Sequence, residues 1–175
     1  MINKDIKKIL SLIFITIIIT FLLIFILMWI SICLSGDTKR LNEFWNINIP
    51  SPSEKVVKLD SEPDFLGDGE SFITYKYSDN DFNKIRKSNI GKFIDYKNID
   101  TIKQDIEDFK NKILNINNSK GDLERKKQVE KVFKENPIKI SIEDRYLYLK
   151  KEDNSELFLV IKSNERKVYI LQIIM

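Results

Sequence analysis

The densest group of side chains that could do chemistry is a run of acidic residues in the stretch LDSEPDFLGDGES, residues 59–71. Calcium prefers oxygen ligands, so Asp60, Asp64, Asp68 and Glu70 are candidate calcium ligands. A calcium-binding loop places its ligands at alternating positions, whereas the three aspartates are spaced by four. The loop pattern is therefore not met, and a plain acidic turn without a bound metal is the preferred prediction.

The same carboxylates could serve a hydrolase, because two acidic side chains flanking a glycosidic bond can act as acid and base. Nothing in the spacing between Asp60 and Glu70 selects such a pair. The chain contains no His, which excludes Ser-His-Asp and Cys-His catalysis and His-containing zinc sites. Its one cysteine, Cys33, has no partner for an internal disulfide. We therefore predict a protein that is not an enzyme and has no cofactor, with a carboxylate-dependent envelope hydrolase as an alternative.

A long apolar stretch near the N-terminus, ILSLIFITIIITFLLIFILMWISICL, contains no charge, no Gly and no Pro. As a helix its 26 residues would extend about 39 Å, which exceeds the roughly 30 Å hydrocarbon core of a bilayer. It lacks the polar stripe of a helix packed in a soluble domain. It is also longer than the roughly 7–15-residue core of a signal peptide. The prediction is a transmembrane helix from Ile9 to Leu34.

Cys33 leaves a second kind of anchor open. The segment from Ile30 to Cys33, ISIC, has the outline of a lipobox, in which Cys33 would be acylated after cleavage. Ile32 argues against this, because the position before an acylated cysteine normally holds Gly, Ala or Ser. A lipoprotein acylated at Cys33 is the alternative to an uncleaved anchor, in which Cys33 is a small apolar residue at the helix end.

Positive charge is concentrated before the apolar stretch. Lys4, Lys7 and Lys8 lie in the short N-terminal tail, whereas the segment after residue 34 has mixed charge. Because positively charged flanks remain in the cytoplasm, this favours a cytoplasmic N-terminus. The predicted division is a cytoplasmic tail over 1–8, the transmembrane helix over 9–34, a linker over 35–43 and an extracytoplasmic domain over 44–175.

The domain beyond the apolar stretch is nearly neutral. Of the overall charge of +3, the tail before residue 9 supplies most, and the remainder has 26 basic and 25 acidic residues. Such a domain lacks the strong basic patch that nucleic-acid binding requires. We predict no nucleic-acid partner.

Hydrophobic periodicity predicts an α+β domain. Alternation typical of strands runs through SFITYKY and through RYLYLKK, ELFLVIKS and RKVYILQIIM, which are joined by tight turns. The last of these is apolar on both faces, so it should lie centrally in the sheet. Residues 56–59 predict a first short strand, and 138–142 is a candidate strand. Helical spacing marks a short helix ending at Lys87, a second over 99–116 and a third over 123–136. The expected architecture is an antiparallel sheet with two or three helices on one face.

FWNINIP, followed by FLGDGESFITYKY, resembles a pattern in small membrane- or lipid-anchored extracytoplasmic proteins of low-GC Gram-positive bacteria, whose function is unknown. In that pattern an Ile-Pro pair precedes a Phe-x-Gly-Asp-Gly turn that leads into a strand. Gly67 and Gly69 supply the turn, because glycine can take the positive φ at which other residues would be strained. The pattern often has His where this chain has Leu66. The resemblance covers residues 44–77, implies a small extracytoplasmic domain and assigns no functional residue.

These features predict a single-pass membrane-anchored protein that binds or interacts at the cell envelope. Its expected partners are the lipid bilayer and an envelope protein or secreted toxin. A toxin or bacteriocin immunity protein is one alternative, because such proteins are often small and membrane-tethered. The lipoprotein and the hydrolase are the others.

Overall fold

The computed structural model describes residues 13–26, 37–61, 69–119 and 123–175. Residues 13–26 form a helix, α1, whose side chains are exposed. Within the described ranges, no helix is both long enough and apolar enough to cross a membrane. The rest of the predicted segment 9–34, Cys33 included, lies outside the described residues.

Six strands of the described chain form one sheet: β1 (Glu54–Asp60), β2 (Gly69–Lys76), β3 (Lys92–Phe93), β4 (Arg145–Lys150), β5 (Glu156–Lys162) and β6 (Lys167–Ile174). Their spatial order is β1-β2-β6-β5-β4-β3, and every neighbouring pair is antiparallel. The antiparallel α+β prediction is confirmed. The predicted central position of β6 is confirmed as well. Because β6 is apolar on both faces, it needs a neighbouring strand at each edge and a covering layer on each face.

Four helices in the described ranges pack around this sheet: α2 (Asp37–Trp45), α3 (Asp79–Lys87), α4 (Ile99–Ser119) and α5 (Leu123–Glu135). The three helices predicted beyond residue 80 are all present. α4 begins where its apolar spacing predicts and continues three residues further, to Ser119.

Both faces of the sheet are covered. Leu157 and Leu159 of β5 pack in one apolar cluster with α2 and α3, whereas Phe158 and Val160 pack in a second cluster with α4 and α5. All seven residues of β5 are buried. The prediction of helices on one face only is therefore wrong, because central strands that are apolar on both sides require a cover on each.

The N-terminal part of the domain also differs from its prediction. Segment 35–43, predicted as a linker, supplies most of α2 from Asp37 onward. Leu41 and Trp45 lie about one turn apart on this helix and are both buried against the sheet, a spacing that favours a helix with one apolar side. The candidate strand at 138–142 does not form, whereas the short strand β3, for which no prediction was made, pairs with β4.

Gly69 begins β2 against the side chain of Ser61. The Ser61 hydroxyl accepts a hydrogen bond from the Glu70 backbone N–H (2.7 Å) and donates one to the Glu70 carbonyl (3.2 Å). A Cβ at position 69 would lie only 2.3 Å from the Ser61 Oγ. Among the described glycines it is Gly91 that has positive φ (75°), so Gly69 does not use the positive φ that glycine allows. Position 69 therefore requires Gly because any side chain there would collide with Ser61. Gly67 lies outside the described residues.

We expect Gly69→Ala to lower the free energy of unfolding by about 1–3 kcal/mol, the usual cost of overpacking. The new methyl group would force the Ser61 hydroxyl away from both of its hydrogen bonds. Urea unfolding of the full-length chain in mild detergent, followed by circular dichroism, measures the change.

Ser61→Ala provides the matched background for this test. It removes the clashing oxygen, and the next nearest Ser61 atoms are 3.6 Å from the added Cβ. The cost of Gly69→Ala should therefore be much smaller in the Ser61→Ala chain than in the wild type. An equal cost in both backgrounds would contradict the steric explanation.

Candidate functional site

A cleft of about 350 Å³ lies between α2 and the β1 edge of the sheet. Its floor is mainly apolar, with Ile73, Tyr75 and Ile170 among its strand residues. Leu41, Phe44 and Trp45 of α2 form one wall. Polar and charged side chains complete the lining, among them Arg40, Lys55, Asp60, Ser61, Ser71 and Gln172.

A row of three polar side chains crosses this apolar floor. Asp60 of β1 pairs with Ser71 of β2, and Ser71 pairs with Gln172 of β6. Residues that pair directly in antiparallel strands place their side chains on the same face. A carboxylate, a hydroxyl and an amide therefore lie side by side, next to an apolar row that contains Ile73 and Ile170.

A β-bulge brings Asp60 to this face. The pairing of β1 with β2 shifts between Val57 and Leu59, so that Lys58 is the extra residue. Strict alternation from Val57 would place Asp60 on the opposite face. The bulge instead turns Leu59 into the cluster with α4 and α5 and turns Asp60 towards the cleft, because a shift of one residue reverses the face of every following side chain.

The hydroxyl of Ser71 is buried and unpaired. Ser71 is 4 % exposed, and its Oγ has no hydrogen-bond partner within the described part of the chain. A buried hydroxyl without a partner costs roughly 1–3 kcal/mol. Thr74 and Tyr77 also have buried unpaired hydroxyls, but neither residue lines the cleft. Of these three residues, Ser71 is the one that lines the cleft, although its Oγ itself is buried beneath the cleft surface.

Trp45 forms the wall beside this polar row. Its ring is buried, and its Nε1 donates a hydrogen bond to Oε1 of Gln172 (3.3 Å). This contact leaves the amide N–H groups of Gln172 as donors on the cleft side of the sheet. Phe44 packs edge-on against Trp45 with a centroid distance of 5.0 Å, and Nζ of Lys151 lies 3.4 Å from the Phe44 ring centre. These contacts hold α2 in place over one side of the cleft.

The structure separates the two described members of the predicted acidic site. Asp60 lines the cleft, but the carboxylate of Glu70 lies 3.6 Å from Nη2 of Arg125, on the face covered by α4 and α5. Asp64 and Asp68 lie outside the described residues. In the parts of the chain that are described, no group of three or more His, Cys, Asp or Glu could hold a metal ion. Strand pairing thus places the side chains of Asp60 and Glu70 on opposite faces of the sheet, although both residues line the cleft.

Of the residues that define the cleft, Asp60 is a predicted site residue, whereas Ser71, Gln172 and Trp45 are not. Gln172 carries a weak signal, because it is the one amide in the apolar run VYILQIIM. Ser71 carries none, since a serine at the start of a strand is ordinary. Trp45 shows only an apolar character in the sequence, which is typical of a core residue, and it is buried. The pairing of β2 with β6 and the packing of α2 on the sheet bring these three residues together.

A second polar cluster surrounds Glu156 at the start of β5. Its carboxylate is buried and accepts hydrogen bonds from Nζ of Lys112 at 3.0 and 2.7 Å, and Nζ of Lys150 lies 3.4 Å away. Burial alone would raise the pKa of Glu156, but the hydrogen bonds from Lys112 and Tyr148 hold that pKa below its usual range. Since the carboxylate is fully partnered and joins α4 to the β4–β5 hairpin, this cluster is structural.

Comparison of the chain with protein-family models, with curated proteins and with solved structures gives no match. The resemblance to anchored proteins of Gram-positive bacteria therefore stays a prediction. The cleft and its residues carry the functional argument.

The Glu156 cluster predicts a pH dependence of stability. The pKa of Glu156 is lower in the folded than in the unfolded chain, so its contribution is complete above the unfolded value, about 4.3, and is lost as the pH falls through the folded value. We expect Glu156→Gln to cost about 1–3 kcal/mol at pH 7, as for hydrogen bonds to a charged group. That cost should shrink between pH 5 and pH 3 in urea unfolding experiments.

Glu107→Gln is the matched control, because Glu107 is an exposed residue of α4 that pairs only with Lys110 in the described contacts. It should change stability little at any of these pH values. A Glu156→Gln penalty that stays constant down to pH 3 would contradict the assigned role of the carboxylate.

Proposed function

We propose that this chain is a single-pass membrane-anchored binding protein of the cell envelope. Residues 9–34 would hold it in the membrane with the N-terminus in the cytoplasm, and the α+β domain would bind a small molecule in its cleft outside the cell. The observation that carries the proposal is the cleft between α2 and the sheet edge, whose apolar floor is crossed by the row of Asp60, Ser71 and Gln172.

The shape and chemistry of the cleft support a binding role. Its volume of about 350 Å³ falls in the usual range for small-molecule sites, about 300–1,000 Å³. Such sites combine an apolar lining with a few converging polar groups that orient the ligand. Ile73 and Ile170 supply the first property, and the row of Asp60, Ser71 and Gln172 supplies the second.

The same geometry favours binding over hydrolysis. Asp60 is the one carboxylate of the described chain that the strand pairing places on the cleft face, since Glu70 is held by Arg125 on the other side. Acid/base hydrolysis by two carboxylates needs both groups at the same bond. Binding of a ligand requires only hydrogen-bonding groups and an apolar surface, and the cleft has both.

The anchor is supported by the apolar character of residues 9–34. Helix α2, which forms one wall of the cleft, begins at Asp37, only three positions after Leu34. Three residues of extended chain span about 10 Å at most. A membrane helix ending at Leu34 would therefore hold this wall close to the bilayer surface.

The location is tested by expressing the full chain in a Gram-positive host. We expect the protein in the membrane fraction after an alkaline wash, and we expect protease added to intact protoplasts to digest the domain while a cytoplasmic marker survives. Recovery in the soluble fraction, or a domain that stays protected, would contradict the proposal.

The substitution Cys33→Ala distinguishes the two kinds of anchor. It should leave the protein in the membrane fraction, whereas loss of membrane retention in this variant would identify a lipid anchor at Cys33 instead.

Binding in the cleft is tested with the neutral fluorescent probe N-phenyl-1-naphthylamine and the full chain in phosphatidylcholine nanodiscs. Trp29→Phe leaves Trp45, in the cleft wall, as the single tryptophan donor for energy transfer to the probe. We expect a saturable signal above that of empty nanodiscs. Ser71→Leu should fill part of the cleft and weaken binding at least about tenfold, equal to roughly 1.4 kcal/mol.

Ser163→Leu is the control for that substitution, because Ser163 follows β5 and does not line the cleft. It should bind the probe as the parent chain does. A signal that never saturates, or that is identical in the Ser71→Leu chain with its circular dichroism unchanged, would rule out the cleft as a binding site.

A further inference from the structure

We infer that, in the anchored protein, the domain lies with one end of its sheet against the outer bilayer surface and contacts lipid through exposed apolar side chains at that end. This inference rests on the proposed anchor, because it names the part of the domain that the anchor would bring to the membrane. The end concerned is the one at which β6 finishes and β5 begins, and we call it the Met175 end. Asp60 of β1, Gly69 of β2 and Lys150 of β4 lie at the same end.

Three large apolar side chains, Phe44, Leu123 and Met175, are exposed at the Met175 end. The backbone N–H of Met175 donates a hydrogen bond to Oγ of Ser155 (3.0 Å), in the segment that joins β4 to β5. Nζ of Lys151, in the same segment, lies 3.4 Å from the centre of the Phe44 ring. Phe44 and Met175 are therefore placed beside the same turn, one on α2 and the other after the last strand.

Leu123 reaches this end from the opposite face of the sheet. It is the first residue of α5, and two positions later Nη2 of Arg125 lies 3.6 Å from the carboxylate of Glu70, near the start of β2. The first turn of a helix favours polar and acidic side chains, because its backbone N–H groups lack partners in the helix and the helix dipole is positive there. Leu123 is 64 % exposed and contributes little to the core. Contact with lipid hydrocarbon would bury it favourably.

The proposed anchor selects this end over the other. Exposure alone does not decide, because Phe93 and Tyr96 are exposed near the start of β4, at the opposite end. From Leu34 to the start of α2 at Asp37 the chain spans about 10 Å at most, and the helix from Asp37 to Phe44 adds about 10 Å. The Met175 end therefore lies within about 20 Å of the end of the membrane helix. The opposite end is about 25 Å away along the sheet, since β6 has eight residues.

The charges at the Met175 end select no type of headgroup. Nζ of Lys39 on α2 lies 3.8 Å from Oε1 of Glu43, and Lys151 is followed directly by Glu152 and Asp153. Charges of both signs side by side produce no net field that would attract anionic lipid. The contact is therefore apolar, and a phosphatidylcholine surface is sufficient for it.

Quenching by spin-labelled lipid tests the orientation. The full chain with Cys33→Ala has no other cysteine, so Leu123→Cys or Tyr96→Cys gives one site for the fluorescent dye NBD. Each labelled chain is placed, one copy per disc, in phosphatidylcholine nanodiscs with and without a nitroxide near the headgroup. We expect the dye at Leu123→Cys to lose most of its fluorescence to the nitroxide. The dye at Tyr96→Cys, at the opposite end, should lose almost none.

A charged substitution tests whether the apolar side chain causes the contact. With the dye at Met175→Cys as reporter, Leu123→Glu should lower the ratio of bilayer-bound to free domain at least about tenfold, the scale set by burying one leucine. The fold should survive, because Glu is favourable in the first turn of α5, and circular dichroism checks this. Tyr96→Glu is the matched control, since Tyr96 is 84 % exposed at the opposite end. It should leave the quenching unchanged.

Three results would overturn the inference: equal quenching of the dye at Leu123→Cys and at Tyr96→Cys, no effect of Leu123→Glu, or quenching that appears only when phosphatidylglycerol replaces part of the phosphatidylcholine. A dye at Leu123→Cys that is shielded from water but not quenched by the nitroxide would also overturn it, because it would show a protein contact at this end.

The outcomes separate this inference from the proposed function. If the chain does not stay in the nanodiscs, the proposed anchor fails and the inference fails with it. If the chain stays in the nanodiscs while the dye at Leu123→Cys is unquenched, the anchor stands and the assigned contact surface is wrong.

Discussion

The apolar character of the central strands on both faces is the constraint on which this fold depends. All seven residues of β5 are buried, and the sheet residues divide between two clusters, one on each side. A sheet of this kind cannot leave either face in water, so it needs two covers. The helices on both sides follow from that requirement.

The two covers are built differently. On one side, α4 and α5 follow each other in the chain as a pair of long helices, and the buried Glu156 with Lys112 ties α4 to the sheet. On the other side, α2 and α3 have nine residues each and come from separate parts of the chain. The second cover is therefore shorter, and the described residues leave the β1 edge of the sheet open beside α2. The cleft is the space that this incomplete cover leaves.

The polar row gives that space its chemistry. Most of the lining residues serve the core and would be explained by packing alone. The buried hydroxyl of Ser71 is not explained in this way, because an apolar residue at the same position would carry no unpaired polar group. The bulge at Lys58 is a second departure from regular structure at the same place, and it adds a carboxylate to the row.

Local pattern alone determined much of this protein. The sequence shows the alternation in β2, β5 and β6, the helical spacing in α4 and α5, and the apolar stretch at 9–34. Each of these patterns can be recognised because it depends on residues close together in the chain. The cleft could not be predicted from such local patterns. Gln172 becomes a neighbour of Ser71 only through strand pairing across about a hundred residues, and a single bulged residue decides which face Asp60 occupies. Only the tertiary structure selects that register, because local periodicity specifies the type of each element and carries no information on its partners.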